Sequence, residues 1–153
     1  MSDPATPPTP SSRQAPLRVL LLDDDPFMLE LLADMLEELG HVEVRCEAHA
    51  KGALRALASA PPALLVCDLS MPDMDGIEFM TAAADAGFSG SVLLLSGMDA
   101  GVRRSAERLA RANGLNVIGS FQKPLAREDL QAALAALSAT PGNLYNVTTL
   151  SGK

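Results

Sequence analysis

Short apolar runs alternate five times with stretches of helical periodicity, and this alternation constrains the fold more than any other feature of the sequence. The runs predict strands at residues 18–22, 42–46, 64–67, 92–95 and 116–121, and the helical patterns cover residues 26–39, 49–60, 76–86, 101–113 and 127–137. The third and fourth runs, "ALLVC" and "VLLLS", are apolar at successive positions, which is typical of strands covered on both faces. Five such strand–helix units predict an α/β domain with a parallel sheet and right-handed crossovers.

Residues at the ends of the helical patterns support this assignment. Asp25 can cap the first helix, with Pro26 at its first position. Gly40, Gly87 and Gly114 each follow a helical pattern, where a left-handed backbone favours glycine.

The size and charge of the chain limit its possible functions. With 153 residues, 48% of them hydrophobic, the chain can bury one core, and we predict one domain over residues 17–138 between a Pro/Ser/Thr-rich tail (1–16) and a C-terminal tail (139–153). A net charge of -7 argues against a nucleic-acid partner. No apolar run reaches the roughly 18 residues of a membrane span, and no signal-peptide pattern opens the chain, so a cytoplasmic protein is predicted.

Cys46 and Cys67 lack metal or redox spacing and are predicted to be buried free thiols.

Polar residues follow four of the five predicted strands. Asp23, Asp24 and Asp25 follow the first strand and Asp68 follows the third. Ser96 and Gly97 follow the fourth, and Lys123 and Pro124 follow the fifth. Each group alone fits an ordinary turn or cap, but the carboxyl ends of parallel strands meet at one edge of the sheet, where α/β proteins bind ligands. Together they predict a site for a hard divalent cation such as Mg²⁺.

Four stretches resemble the receiver domain of two-component response regulators: "VLLLDDDP", "LLVCDLSMPDMDGIEFM", "VLLLSG" and "FQKPL". The resemblance covers residues 17–137 and implies a flavodoxin-like, doubly wound sheet of five parallel strands in the order 2-1-3-4-5, with five helices. The stretch "GLNVIGSFQKPL" is similar to receivers associated with cyclic-di-GMP phosphodiesterase regulators, although no phosphodiesterase domain is predicted within these 153 residues.

The resemblance implies that Asp68 is the phosphoacceptor, which takes a phosphoryl group from a sensor histidine kinase or a histidine phosphotransfer protein. It implies direct Mg²⁺ ligation by Asp24, Asp68 and the backbone carbonyl of Ser70, with Asp23 acting mainly through a metal-bound water. Asp25 falls outside this set and is assigned to the helix cap.

The remaining site residues also take their roles from the resemblance. Lys123 is expected to pair with a phosphoryl oxygen and Ser96 to donate a hydrogen bond to another, while Gly97 leaves room for the phosphoryl group. The bond before Pro124 is expected to be cis. Catalysis is then confined to the protein's own phosphorylation and dephosphorylation, so the chain is not expected to be an enzyme in the usual sense.

One position departs from the family. Many receivers carry Tyr or Phe three residues before the lysine, and here that residue is Ser120. Phe121 is predicted to point to the other face of the strand, because side chains alternate. Position 120 therefore lacks the aromatic side chain that serves as a rotamer switch in many receivers.

Two surfaces are candidate partner sites. On the first helix, Phe27 and Leu29 are predicted to be exposed near the site and to contact the kinase. On the fourth helix, Arg103, Arg104, Arg108 and Arg111 fit either a solvated face or a surface that, with the fifth strand, binds an acidic output partner or a second copy.

Two other functions stay open. A haloacid dehalogenase-like phosphohydrolase also uses Asp, Mg²⁺, a hydroxyl and Lys, but that family places a second Asp two residues after the nucleophile, where this chain has Ser70. The other alternative is a receiver-like interaction module that is never phosphorylated, which the presence of Asp23, Asp24, Asp68, Ser96 and Lys123 disfavours.

Overall fold

The computed structural model describes residues 15–71, 76–97 and 100–137, which form a parallel sheet with helices on both faces. The strands are β1 (Leu17–Leu22), β2 (Val42–Glu47), β3 (Leu64–Asp68), β4 (Ser91–Ser96) and β5 (Asn116–Gln122). The helices are α1 (Pro26–Leu39), α2 (Ala50–Ser59), α3 (Gly76–Asp85), α4 (Ala100–Ala112) and α5 (127–137). The order of the strands is β2-β1-β3-β4-β5, and all four pairs are parallel, so the predicted topology is confirmed.

The alternation of side chains along the strands builds a hydrophobic core on each face of the sheet. On β1, Leu20 and Leu22 pack with α2, α3 and α4, whereas Val19 and Leu21 pack with α1 and α5. Every residue of β3 and β4 is buried, as the two-sided apolar runs predicted. The central strands are thereby covered on both faces, and the residues at their carboxyl ends, Asp68 and Ser96, are buried with them.

The predicted helix ends are confirmed. The Asp25 side chain accepts a hydrogen bond from the Phe27 backbone N–H at 3.0 Å, and Pro26 is the first residue of α1. Gly87 and Gly114 have φ of 84° and 95°, a left-handed conformation that side chains with a Cβ rarely adopt.

Two predictions about burial were wrong. Cys46 is exposed, because β2 is an edge strand in which no residue is fully buried, whereas Cys67 is buried as predicted. Leu29 is buried against the core, because the apolar stripe of α1 that faces the sheet is wide enough to include it. Phe27 is exposed over 68% of its surface, as predicted.

Several sequence predictions fall on residues that the structure does not describe. They include nearly all of the two tails, at residues 1–14 and 138–153, and the loop residues 72–75 and 98–99. The domain limits at 17 and 138 remain predictions. Among the described residues, no helix combines the length and apolar character needed to cross a membrane.

Candidate functional site

The predicted site residues converge at the carboxyl edge of the sheet. Asp23 directly follows β1, and Asp68 is the last residue of the adjacent strand β3. Ser96 is the last residue of β4, and Lys123 directly follows β5. Strands β3 and β4 each extend one residue further than predicted, to Asp68 and Ser96, so hydrogen bonding of the sheet helps to fix the backbones of both residues.

Three carboxylates cluster at this edge. Asp23, Asp24 and Asp68 each offer an oxygen, and these oxygens all lie within 4.8 Å of one another. Asp23 and Asp68 are buried, whereas Asp24 is exposed at the mouth of the cluster. A donor set made only of oxygens suits a hard cation such as Mg²⁺ better than a thiolate- or imidazole-seeking metal.

Lys123 lies between the two buried carboxylates. Its Nζ is 2.8 Å from Asp23 Oδ2 and 3.3 Å from Asp68 Oδ2. Burial alone would lower the pKa of Lys123, but the hydrogen bond to Asp23 and the negative charges of both carboxylates outweigh burial and raise it. Lys123 therefore stays protonated and is the cation that balances the cluster in the absence of metal.

Backbone N–H groups hold the other oxygens. The Ser70 N–H donates to Asp68 Oδ1 at 3.1 Å, and the Asp25 N–H donates to Asp23 Oδ1 at 2.9 Å. These bonds fix the rotamers of both buried carboxylates, so the cluster is preorganised.

The balance of these contacts leaves Asp68 unusually basic. Burial is the main cause that raises its pKa to about 6, and the nearby charge of Asp23 raises it further, against the lowering effects of the Ser70 N–H and Lys123. Because burial and Asp23 disfavour the ionised form of Asp68, an additional positive charge at this site would stabilise that form.

Ser96 and Gly97 border the cluster. Ser96 is fully buried, and its backbone carbonyl accepts a hydrogen bond from the Lys123 N–H at 2.9 Å, which ties the ends of β4 and β5 together. Among the described residues, no atom lies within 4 Å of the position that a Cβ at Gly97 would take, so none of them fills the space beside it. The peptide bond between Lys123 and Pro124 is cis, as the resemblance implied.

Comparison with known proteins agrees with this geometry. Residues 19–135 match the family described as the response regulator receiver domain. The chain belongs to this family.

Three proteins show which members of the family this receiver is similar to. It is 32% identical over 124 residues to the cyclic di-GMP phosphodiesterase RocR of Pseudomonas aeruginosa, covering 80% of this chain but only 32% of RocR. It is 27% identical to the probable chemotaxis protein CheY of Rhizobium etli, covering 79% of this chain and 92% of CheY. A response regulator from Colwellia psychrerythraea, known from its crystal structure, has 40% sequence identity to this chain. The two structures have a TM-score of 0.69, and the match covers 82% of this chain and 98% of that one.

These relatives support a role in a two-component phosphorelay. The match to RocR agrees with the predicted likeness to receivers of cyclic-di-GMP regulators, although this chain spans about a third of that protein. No relative favours a haloacid dehalogenase-like hydrolase or an unphosphorylated interaction module.

The receiver departs from the family's aromatic pattern as the sequence predicted. Ser120 faces α4, and its Oγ donates a hydrogen bond to Glu107 Oε1 at 2.8 Å. Phe121 packs on the opposite face, in the core formed with α1 and α5. Glu107 was not among the residues that the sequence singled out, and a lone carboxylate within a basic helix was the signal that could have revealed this contact.

Proposed function

We propose that Asp68 of this receiver is the phosphoacceptor of a two-component phosphorelay. The observation that carries the proposal is the buried Asp68 carboxylate at the end of β3, clustered with Asp23 and Asp24 and contacted by Lys123. A carboxylate oxygen of Asp68 forms the new O–P bond while the N–P bond of a phosphohistidine breaks, and the imidazole nitrogen keeps the bonding electrons. Because carboxylates are weak nucleophiles towards phosphorus, positioning and neutralisation of charge supply the catalysis.

Lys123 and Ser96 are proposed to stabilise the phosphoryl oxygens. The Lys123 ammonium already lies 3.3 Å from Asp68, so a phosphoryl group on that carboxylate would remain within its reach. The Ser96 hydroxyl can donate to another oxygen, and the open space at Gly97 admits the group.

The cluster is also proposed to hold Mg²⁺, through Asp24, Asp68 and the Ser70 backbone carbonyl, with Asp23 acting mainly through water. The oxygen-only donor set and the raised pKa of Asp68 fit a divalent cation. When bound, the ion supplies positive charge that offsets the negative charge of the phosphoryl oxygens.

Incubation with acetyl phosphate and Mg²⁺ followed by intact-mass spectrometry tests the phosphoacceptor. The wild type should gain the mass of one phosphoryl group, and Asp68→Asn should gain none. Asp34→Asn, which changes an exposed carboxylate on α1, is the matched control and should behave as wild type. A phosphoryl adduct that persists in Asp68→Asn would refute the assignment, and multiple-turnover release of phosphate from phosphate esters would favour a hydrolase.

The proposed phosphoryl donor is a sensor histidine kinase or a histidine phosphotransfer protein. Phe27, at the start of α1, exposes 68% of its surface beside the site. An exposed aromatic residue at this position can anchor a partner helix.

The output surface is proposed to be the α4 and β5 face. Exposed Arg104, Arg108 and Arg111 line, with Glu107, a groove of about 280 Å³. On a chain with net charge -7 this cationic groove fits an acidic surface of an output partner or of a second copy. The double variant Arg104→Glu/Arg108→Glu should abolish an association that phosphorylation promotes, and unchanged association would leave the arginines as a solvated face.

A further inference from the structure

A polar contact joins α4 to β5 where many receivers place an aromatic ring. Glu107 on α4 accepts a hydrogen bond from Ser120 Oγ through Oε1 at 2.8 Å and from Arg111 Nη2 through Oε2 at 2.7 Å. Both carboxylate oxygens of Glu107 are therefore occupied, one by the strand and one by its own helix.

Arg103 lies one turn before Glu107 on the same helix and lacks comparable contacts. Its Nε and Nη1 are buried and have no hydrogen-bond partner among the described residues. Burying a donor of a charged group without a partner costs free energy, so a rearrangement that pairs Arg103 would recover that cost. Residues four apart on a helix are neighbours. The hydrogen bonds from Arg111 and Ser120 lower the pKa of Glu107, and the nearby positive charge of Arg103 lowers it further.

This group of residues is connected to both sides of the phosphorylation site. Ser120 lies three residues before Lys123 and is in register with Leu94 on β4. Ser96 is two residues beyond Leu94, so Ser96 and Ser120 lie on the same face of the sheet, the face that α4 covers. Helix α4 begins at Ala100, four residues after Ser96.

We propose that Glu107 is a latch that exchanges Ser120 for Arg103 when α4 moves. In the present arrangement the Ser120 hydroxyl holds Glu107, and the buried Nε and Nη1 of Arg103 have no hydrogen-bond partner among the described residues. When Ser96 is drawn towards a phosphoryl group on Asp68, the start of α4 shifts, Glu107 leaves Ser120 and pairs with Arg103. Each state satisfies one of the two competing donors, which keeps the states close enough in free energy for a small local change to select between them.

The proposal deepens the phosphoacceptor function and rests on it for the coupling step, but the competition for Glu107 can be tested without any phosphoryl donor. In metal-free protein, Ser120→Ala should free Glu107 to pair with Arg103. The NMR signal of the Arg103 Nε–H should then move downfield and its hydrogen exchange should slow severalfold. Ser120→Thr keeps the hydroxyl and should resemble wild type, and Ser105→Ala is the control for removing a serine hydroxyl that is exposed on α4.

Beryllofluoride with Mg²⁺, a phosphoryl mimic, tests the coupling to Asp68. The apparent affinity for a ligand is proportional to the fraction of protein in the state that binds it. Ser120→Ala should raise this fraction, because it removes the bond that holds Glu107 in the other state, so the variant should bind beryllofluoride up to about tenfold more tightly. Arg103→Gln should bind more weakly in the wild-type background and show no further effect in Glu107→Gln. Affinity for Mg²⁺ alone should be the same in all of these variants.

The outcomes separate the two proposals. An unchanged Arg103 signal in Ser120→Ala, in a protein that still binds beryllofluoride, refutes the latch alone. A changed Arg103 signal in a protein that never binds beryllofluoride refutes the phosphoacceptor function and the coupling. Additive effects of Arg103→Gln and Glu107→Gln on beryllofluoride affinity also refute the latch.

Discussion

Replacing Asp68 by Asn should make the metal-free protein more stable near neutral pH, although it removes the residue on which the proposed function depends. Asn has nearly the shape of a protonated Asp, so it keeps the position of the side chain while removing its charge. Asp68 is buried beside Asp23, and among the described residues Lys123, which both carboxylates share, is the cation in contact with the pair. The charge of Asp68 is therefore a cost to the folded state that the variant removes.

The pKa of Asp68 gives the magnitude and its pH dependence. At about 6 it lies roughly two pH units above its ordinary value, and one unit corresponds to about 1.4 kcal/mol. The full difference of about 3 kcal/mol is reduced by solvent screening at the exposed mouth of the site, so we expect a gain of about 1–2 kcal/mol, or roughly 3–8 °C in melting temperature. Between pH 4 and 6 the folded protein holds a proton on Asp68 that the unfolded chain releases, so wild-type stability falls as pH rises through this range.

Urea denaturation followed by circular dichroism, in EDTA at pH 4 and pH 7.5, measures this effect. Asp68→Asn should be more stable than wild type at pH 7.5 and nearly equal to it at pH 4, while the control Asp34→Asn should follow wild type at both. Adding Mg²⁺ at pH 7.5 should stabilise the wild type and leave Asp68→Asn little changed. A variant that is less stable than wild type at pH 7.5 would refute the reasoning, because it would show that the contact with Lys123 outweighs burial of the charge.

Three further predictions concern neighbouring residues. Lys123→Gln should destabilise the metal-free protein by about 1–3 kcal/mol, because buried Asp23 loses its cation; denaturation measures this, and unchanged stability would contradict it. Asp24→Asn should weaken Mg²⁺ binding at least tenfold, as measured by calorimetry. The variant should also raise the metal-free melting temperature, but only slightly because Asp24 is exposed. A lower melting temperature would reveal a structural role for Asp24. Phe27→Ala should slow phosphoryl transfer from the kinase but not from acetyl phosphate, whereas Leu29→Ala, at a buried position, should cost about 2 kcal/mol of stability. Equal slowing of Phe27→Ala with both donors would argue against a kinase contact.

Much of this site could be predicted from the sequence, because the signals for its strands and helix ends lie within short stretches of the chain. Runs that are apolar at successive positions predicted the buried strands β3 and β4, and Asp25, Pro26 and the glycines predicted where helices begin and end. Once the sheet is parallel, the carboxyl ends of the strands must share one edge. This rule predicts the clustering of Asp23, Asp24 and Asp68 that the structure contains.

Other features depended on which elements lie side by side, and only the tertiary structure decided them. Cys46 is exposed because β2 is an edge strand, and Leu29 is buried because α1 faces the sheet with a broad stripe. The bond between Ser120 and Glu107 joins residues 13 apart in the chain, from a strand and a helix whose separate patterns do not show their mutual rotation. Side-chain periodicity specifies which face of an element is apolar, but the packing of one element on another decides which polar groups meet.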